Sequence, residues 1–219
     1  MSICIDLHLH TNRYSPCSSI EPEQMVRQAA NIGLDAAVIT EHHHQWSEEE
    51  LAALVEEAGE PNFLLMTGFE YCSAQGDFLI YGLTEGAAFG FEPGLAPESV
   101  VEQVHWLGGA CIAAHPTRAG MSFDERIASM RLDGIEVQSI NLKEHEQRLA
   151  MGLASNLNIP ASAGSDAHQL QHVGAYATVF EEPIQSMADF VAALRGGRFR
   201  PVDGAAARLR GRKAVGDSR

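Results

Sequence analysis

Short runs of β-branched and apolar residues alternate through most of the chain with stretches whose apolar positions recur at helical spacing. Strands are predicted over residues 3–7, 35–40, 62–67, 77–83, 110–114, 134–137 and 159–163. Between them, residues 22–32 place Met25, Val26, Ala29 and Ile32 on one face, with Pro22 suited to a first helical turn. Ser47 and Glu50 form a capping-box pair ahead of Leu51, Leu54, Val55 and Ala58. Further helices are expected after Pro97, over 123–130 and over 143–156. Residues 85–95, with three glycines, two phenylalanines and a proline, read as a loop able to cover a site.

Strands alternating with helices imply a parallel sheet, and about seven repeats in this length suggest a closed or nearly closed barrel, an open doubly wound sheet being the alternative. A single α/β domain is expected over residues 1–204. Residues 205–219 carry Arg208, Arg210, Arg212, Lys213 and Arg219 without apolar periodicity and read as a mobile basic tail.

Composition adds little to the fold and more to the function. At 45% hydrophobic and 20% charged, the chain is ordinary for a globular protein. No apolar run approaches the roughly 20 residues of a membrane span, and no signal-peptide pattern opens the sequence, so a cytoplasmic protein without a membrane partner is expected. Cys4, Cys17, Cys72 and Cys111 form no Cys-x-x-Cys pair and are expected to be buried thiols. The formal charge of -14 disfavours stable nucleic-acid binding, so an anionic substrate would need locally supplied positive charge, which metal ions can provide.

Histidine is the residue in excess, with 10 copies. His8 and His10 flank Leu9 at the end of the first strand; two apart on an extended backbone, they can reach one ion, or simply line a barrel. The placement then recurs. Glu41 and His42 follow the second strand, Glu70 the third, His115 the strand ending at Ala114, and Asp166 with His168 the strand ending at Ala163. In a parallel barrel the ends of successive strands converge on one rim, where such folds place catalysis. Imidazole and carboxylate donors suit zinc, manganese or iron, and the surplus of ligands implies more than one ion, with Glu70 as the natural bridge.

The segments DLHLHT (6–11), ITEHH (39–43), TGFE (67–70), AAHP (113–116) and AGSDAH (163–168) resemble, in order, the motifs of the PHP family, named for polymerase and histidinol phosphatase. The resemblance implies a distorted seven-stranded TIM-like (β/α) barrel. It implies two or three divalent transition-metal ions and hydrolysis of a small phosphate ester by a metal-bound hydroxide. By motif, His8, His10, Glu70 and Asp166 would hold one ion, Glu70 and His115 a second, and His42 and His168 a third; His168, or His42 if the third ion is absent, is the candidate proton donor to the leaving oxygen. The chain departs from the family in three places: Tyr14 to Cys17 stand where relatives carry a further ligand, Glu41 replaces an aspartate, and Asp77 stands where relatives often have histidine. Asp77 is therefore a candidate second-site ligand, its other reading being a turn residue.

Arg118, just after His115-Pro116, is a candidate for two-pronged phosphate binding, and Arg13 a second one. His43 and His44 read as solvated loop residues. Two rival functions remain at this stage: an amidohydrolase-type C–N hydrolase, which often bridges its metals through a modified lysine, and a noncatalytic metal-binding module.

Overall fold

The computed structural model describes residues 2–203; the basic stretch 205–219 lies outside the described residues. Nine strands form one sheet. They are β1 (Ile3–Leu9), β2 (Ala36–Ile39), β3 (Leu64–Cys72), β4 (Asp77–Tyr81), β5 (Ala110–Ala114), β6 (Gly134–Gln138), β7 (Ala161–Ala163), β8 (Tyr176–Phe180) and β9 (Phe199–Asp203). Their spatial order is β7-β6-β5-β4-β3-β2-β1-β8-β9. The sheet curls until it nearly closes: Thr178 Oγ1 in β8 accepts from Ala163 N and donates to Ala163 O, both at 2.8 Å, bridging the seam where no strand ladder runs.

The expected α/β barrel in a single domain is present, but its sheet is mixed rather than parallel. The pairs β1–β2, β2–β3, β5–β6 and β6–β7 are parallel, whereas β3–β4, β4–β5, β1–β8 and β8–β9 are antiparallel. For β4 the reason is chain length: β3 runs on to Cys72, and four residues cannot carry a parallel crossover. They make a hairpin instead, with Gly76 at φ 84° supplying a left-handed turn position and Ser73 N donating to Gly76 O.

Among the described residues five helices cover the sheet: α1 (Pro22–Asn31), α2 (Glu48–Glu57), α3 (Pro97–Trp106), α4 (Glu144–Leu157) and α5 (Met187–Gly196). The capping box predicted at Ser47 and Glu50 forms in both directions. The helix expected over 123–130 is a short 3-10 turn, Glu125–Ser129, capped by Asp124. Apolar faces of α1 and α2 bury Met25, Val26, Leu51 and Leu54 with Cys4, Leu9 and Ile39; those of α3 and α4 bury Val100, Val104 and Ala150 with Phe78, Cys111 and Ile135. Phe190 and Leu194 of α5 join Ile5, Leu7, Val38, Tyr81 and Ile112.

One irregularity positions the site. Ile5 and Leu7 face the α5 cluster, yet Leu9, which a regular strand would put on the same side, packs with α1 and α2. The register of β1 against β2 shifts between Asp6 and Leu9. Such a bulge changes the phase of the strand, and here it turns the even-numbered His8 and His10 inward.

Candidate metal centre

His8, His10, Glu70, His115 and Asp166 are all 0–2% exposed, deep at one rim of the barrel. Glu70 is the hub. Its Oε2 lies 3.4 Å from His8 Nε2, 3.2 Å from His10 Nε2 and 3.0 Å from His42 Nδ1, while Oε1 lies 3.0 Å from His115 Nε2. Asp166 Oδ1 is 3.5 Å from both His8 Nε2 and His10 Nε2. His42 and His168, at 34% and 27% side-chain exposure, close the cluster toward solvent.

These separations test whether the residues fit a metal. Donors bonded at about 2.1 Å to one ion lie about 3.0 Å apart at right angles and about 3.4 Å apart at the tetrahedral angle. His8 Nε2 and His10 Nε2 are 3.0 Å apart, a spacing that two imidazole lone pairs tolerate only around a shared cation or proton. His42 Nδ1, although close to Glu70, makes no hydrogen bond, and neither do the buried atoms Asp77 Oδ2 and His115 Nδ1. Unpaired buried polar atoms are costly, and several at one rim indicate a missing partner. Four donor sets lie within 4.8 Å: His8, His10, Glu70; His8, His115, Asp166; Glu70, Asp77, His115; and His10, His42, His168.

The electrostatics agree. Burial disfavours a charged His8, but Asp166, Glu136 and Glu70 outweigh it and hold its pKa well above the usual value. Burial likewise opposes an ionised Glu70, yet the four surrounding histidines keep it well below the usual carboxylate range. His168 is shifted down by burial and by His10, so its ring favours the neutral form a ligand needs. Its Nδ1 lies 3.1 Å from the Asp166 carbonyl, which can only accept, leaving Nε2 with the free lone pair. Backbone strain gathers here too: His115 and Asp166 have φ of 28° and 52°, a region disfavoured for side chains with a Cβ.

Glu41 is placed differently from the candidate ligands around it. Its carboxylate accepts from Thr11 N, Thr11 Oγ1 and Trp46 Nε1, bracing the loop after β1 against the loop after β2. Asp77, at the start of β4 opposite Cys72, does enter a donor set; burial and Glu70 raise its pKa. Arg118 is half-buried in a turn pinned by Arg118 N to His115 O, Thr117 Oγ1 to Glu146 O and Ala119 N to Glu146 Oε1. It has no ion pair among the described residues. Arg13 is exposed, with its guanidinium over the rings of Tyr14 and Trp46 at 5.7 and 5.6 Å. His43 is exposed, whereas His44 stacks on Tyr14 at 3.7 Å between ring centroids. Cys4 and Cys111 are buried as expected, but Cys17 is exposed and Cys72 intermediate, because each sits in or beside a rim loop.

Comparison with known proteins decides the family. The PHP domain model matches residues 6–102 and the PHP-associated model residues 144–199. An uncharacterised protein of Methanocaldococcus jannaschii is 30% identical over 143 residues, 60% of this chain and 79% of that one. The chain belongs to the PHP family. Its fold is shared with PsfC from Pseudomonas syringae PB-5123, at TM-score 0.72 and 18% identity over 97% of both chains. A two-domain Bacteroides vulgatus protein containing a predicted PHP-like metal-dependent phosphoesterase aligns at TM-score 0.73 and 19% identity, over 93% of this chain and 65% of its own. As a PHP protein the chain is a metal-dependent hydrolase. No helix among its described residues is long and apolar enough to cross a membrane.

The placement of residues at strand ends does not point to the side chains that hold these candidate ligands in place. Asn141 Nδ2 donates to Asp166 Oδ2 at 2.7 Å and to the Asp166 carbonyl at 3.0 Å. Ser15 Oγ accepts from His42 N and lies 3.4 Å from His10 Nδ1. Glu136 reaches both His8 and His115. None of them follows a strand beside another ligand, so the spacing argument did not reach them.

Proposed function

We propose that this protein hydrolyses a small phosphate ester using two or three bound divalent zinc, manganese or iron ions. The observation that carries the reading is Glu70, whose two oxygens face different histidine sets, His8, His10 and His42 on one side and His115 on the other. When bound, the ions supply a Lewis acid for the phosphoryl oxygens and an acidified water as nucleophile. His8, His10, Glu70 and Asp166 hold the first ion, and Glu70, Asp77 and His115 the second. A third would rest on His42 and His168 beside a shared His10, whose Nε2 already serves the first set. With two ions, His42 and His168 remain free at the solvent side; either could hand a proton to the leaving oxygen, His168 only after its Nε2 lone pair has taken one up.

Arg118 is the phosphate contact in this reading, because its backbone is fixed beside His115 and no described acidic group pairs with it. Arg13 is the outer candidate, reaching a substrate only by leaving its aromatic support. An ammonium cannot reproduce a two-pronged guanidinium contact, so Arg118→Lys as well as Arg118→Ala should lose roughly ten- to a hundredfold in kcat/KM. Steady-state kinetics with metal content confirmed check this, and wild-type values in both variants would place Arg118 outside the site.

The lysine bridge of the amidohydrolase alternative finds no support among the described residues, where Lys143 is exposed at the start of α4 and Glu70 faces histidines from both of its oxygens; Lys213 lies outside them. The deciding experiment is elemental analysis after loading with manganese, iron or zinc, followed by a panel of phosphomonoesters and diesters. Two to three equivalents and turnover of at least one ester class are expected. Binding should weaken as pH falls, because protons held by His8 and His10, both raised in pKa, compete with the ions. One equivalent or fewer under every condition sinks the multinuclear site; loaded protein inert on the whole panel sinks the phosphoesterase reading.

A further inference from the structure

Glu136 lies in the middle of β6, completely buried, and belongs to none of the donor sets. A charged side chain in the interior of a strand flanked by Ile135 and Val137 needs a reason, since an apolar residue there would avoid burying a charge. Its two oxygens are both engaged by ligand residues. Oε1 is 3.0 Å from His8 Nδ1, and Oε2 accepts from the His115 backbone N at 3.0 Å.

A carboxylate only accepts, so His8 carries hydrogen on Nδ1. In the neutral ring the Nε2 lone pair is then the one turned toward His10, Glu70 and Asp166. The second oxygen tethers His115 at the residue whose backbone is held at φ 28°. A single side chain on β6 thus fixes ligands contributed by β1 and by the turn after β5.

We propose that Glu136 is the positioning residue of the metal centre, selecting the ligand-competent tautomer of His8 and fixing the backbone of His115 at the same time. The proposal rests on the reading that this cluster binds metal. Its sharpest consequence concerns Glu136→Gln, which keeps shape and removes one acceptor. The His115 backbone N–H cannot tautomerise, so it takes the amide oxygen, and the amide NH2 then faces His8 Nδ1. His8 responds by moving its hydrogen to Nε2, the atom that faces the other ligands. A ring protonated there has no lone pair for the ion.

Zinc and manganese titrations of metal-free wild type and Glu136→Gln, with urea unfolding of both metal-free proteins, test the proposal. Partners of ligating histidines typically contribute 10- to 100-fold in affinity, so a loss of roughly that size is expected with the unfolding midpoint retained. Two-bond proton–nitrogen spectra of the zinc-loaded wild type, with the His8 signals assigned by their absence in His8→Asn, should show hydrogen on Nδ1. A wild type that binds metal while Glu136→Gln binds it equally well overturns the role of Glu136 alone; a wild type that binds none overturns the metal reading itself. If Glu136→Gln does not fold, the wild-type spectrum still decides, and zinc-loaded His8 without hydrogen on Nδ1 refutes the proposal.

Discussion

Glu70→Gln is expected to lower kcat/KM by about three orders of magnitude or more, equivalent to about 4 kcal/mol of transition-state stabilisation. The substitution preserves the volume of a residue only 2% exposed and removes the one charge that faces four histidines. Because both oxygens serve the cluster, from opposite sides, the loss should extend to every ion held there. Metal content should fall together with rate. Elemental analysis and kinetics on the best ester of the panel measure the two effects, and a variant retaining wild-type stoichiometry would show that Glu70 is not the bridge.

Gly164→Ala is the second large effect, and it involves no chemical group. A Cβ at residue 164 would sit 2.5 Å from His8 Cβ, 2.8 Å from His8 N and 3.1 Å from Glu136 Oε1. The first two neighbours are fixed parts of β1 rather than the ends of flexible side chains, so the strand must move. Overpacking of this kind typically costs about 1–3 kcal/mol, and here the displaced atoms carry the first ligand. Urea unfolding of the metal-free protein should register the cost, and metal titration should register the misplacement of His8. If both match wild type, the contact between residue 164 and β1 is looser than these distances state.

How far the sequence discloses this architecture follows from what kind of signal each part leaves. That His8, His10, His42, Glu70, His115, Asp166 and His168 gather in one cluster is legible because a barrel brings its strand ends to one rim, where chemically distinctive residues interrupt apolar runs at a repeated phase. Glu136 leaves a fainter trace, one carboxylate inside an otherwise apolar strand, and reads as an ordinary inward polar position until its partners are seen. The strands β8 and β9 and the helix α5 went unread; β8 and β9 carry no ligand, and the alternating Arg198-Phe199-Arg200-Pro201 pattern has the look of a polar edge. The antiparallel β4 departs from the expected parallel sheet, because β3 runs past Thr67 to Cys72 and leaves only a hairpin connection. Exposure of Cys17 depends on a loop path that has no periodicity from which to read it.

The union of β1 with the segment after β7 governs when, during folding, the centre comes into existence. Ser165 N reaches Asp6 Oδ1 across 159 positions of chain, and Glu136 reaches His8 across 128. The β3–β4 hairpin and the individual helices close short loops at small entropic expense, but the ligand set requires the long ones, which close more slowly. Through most of that process an ion meets isolated imidazoles and carboxylates; only the closed barrel offers them together. Binding confined to the native state adds about 2.7 kcal/mol per site at a free ion concentration a hundred times Kd. The same ions that would serve catalysis would therefore act as a latch on one of the long loops of the described residues, opposing the parting of β1 from residues 165–167 with a strength set by the metal concentration around the protein.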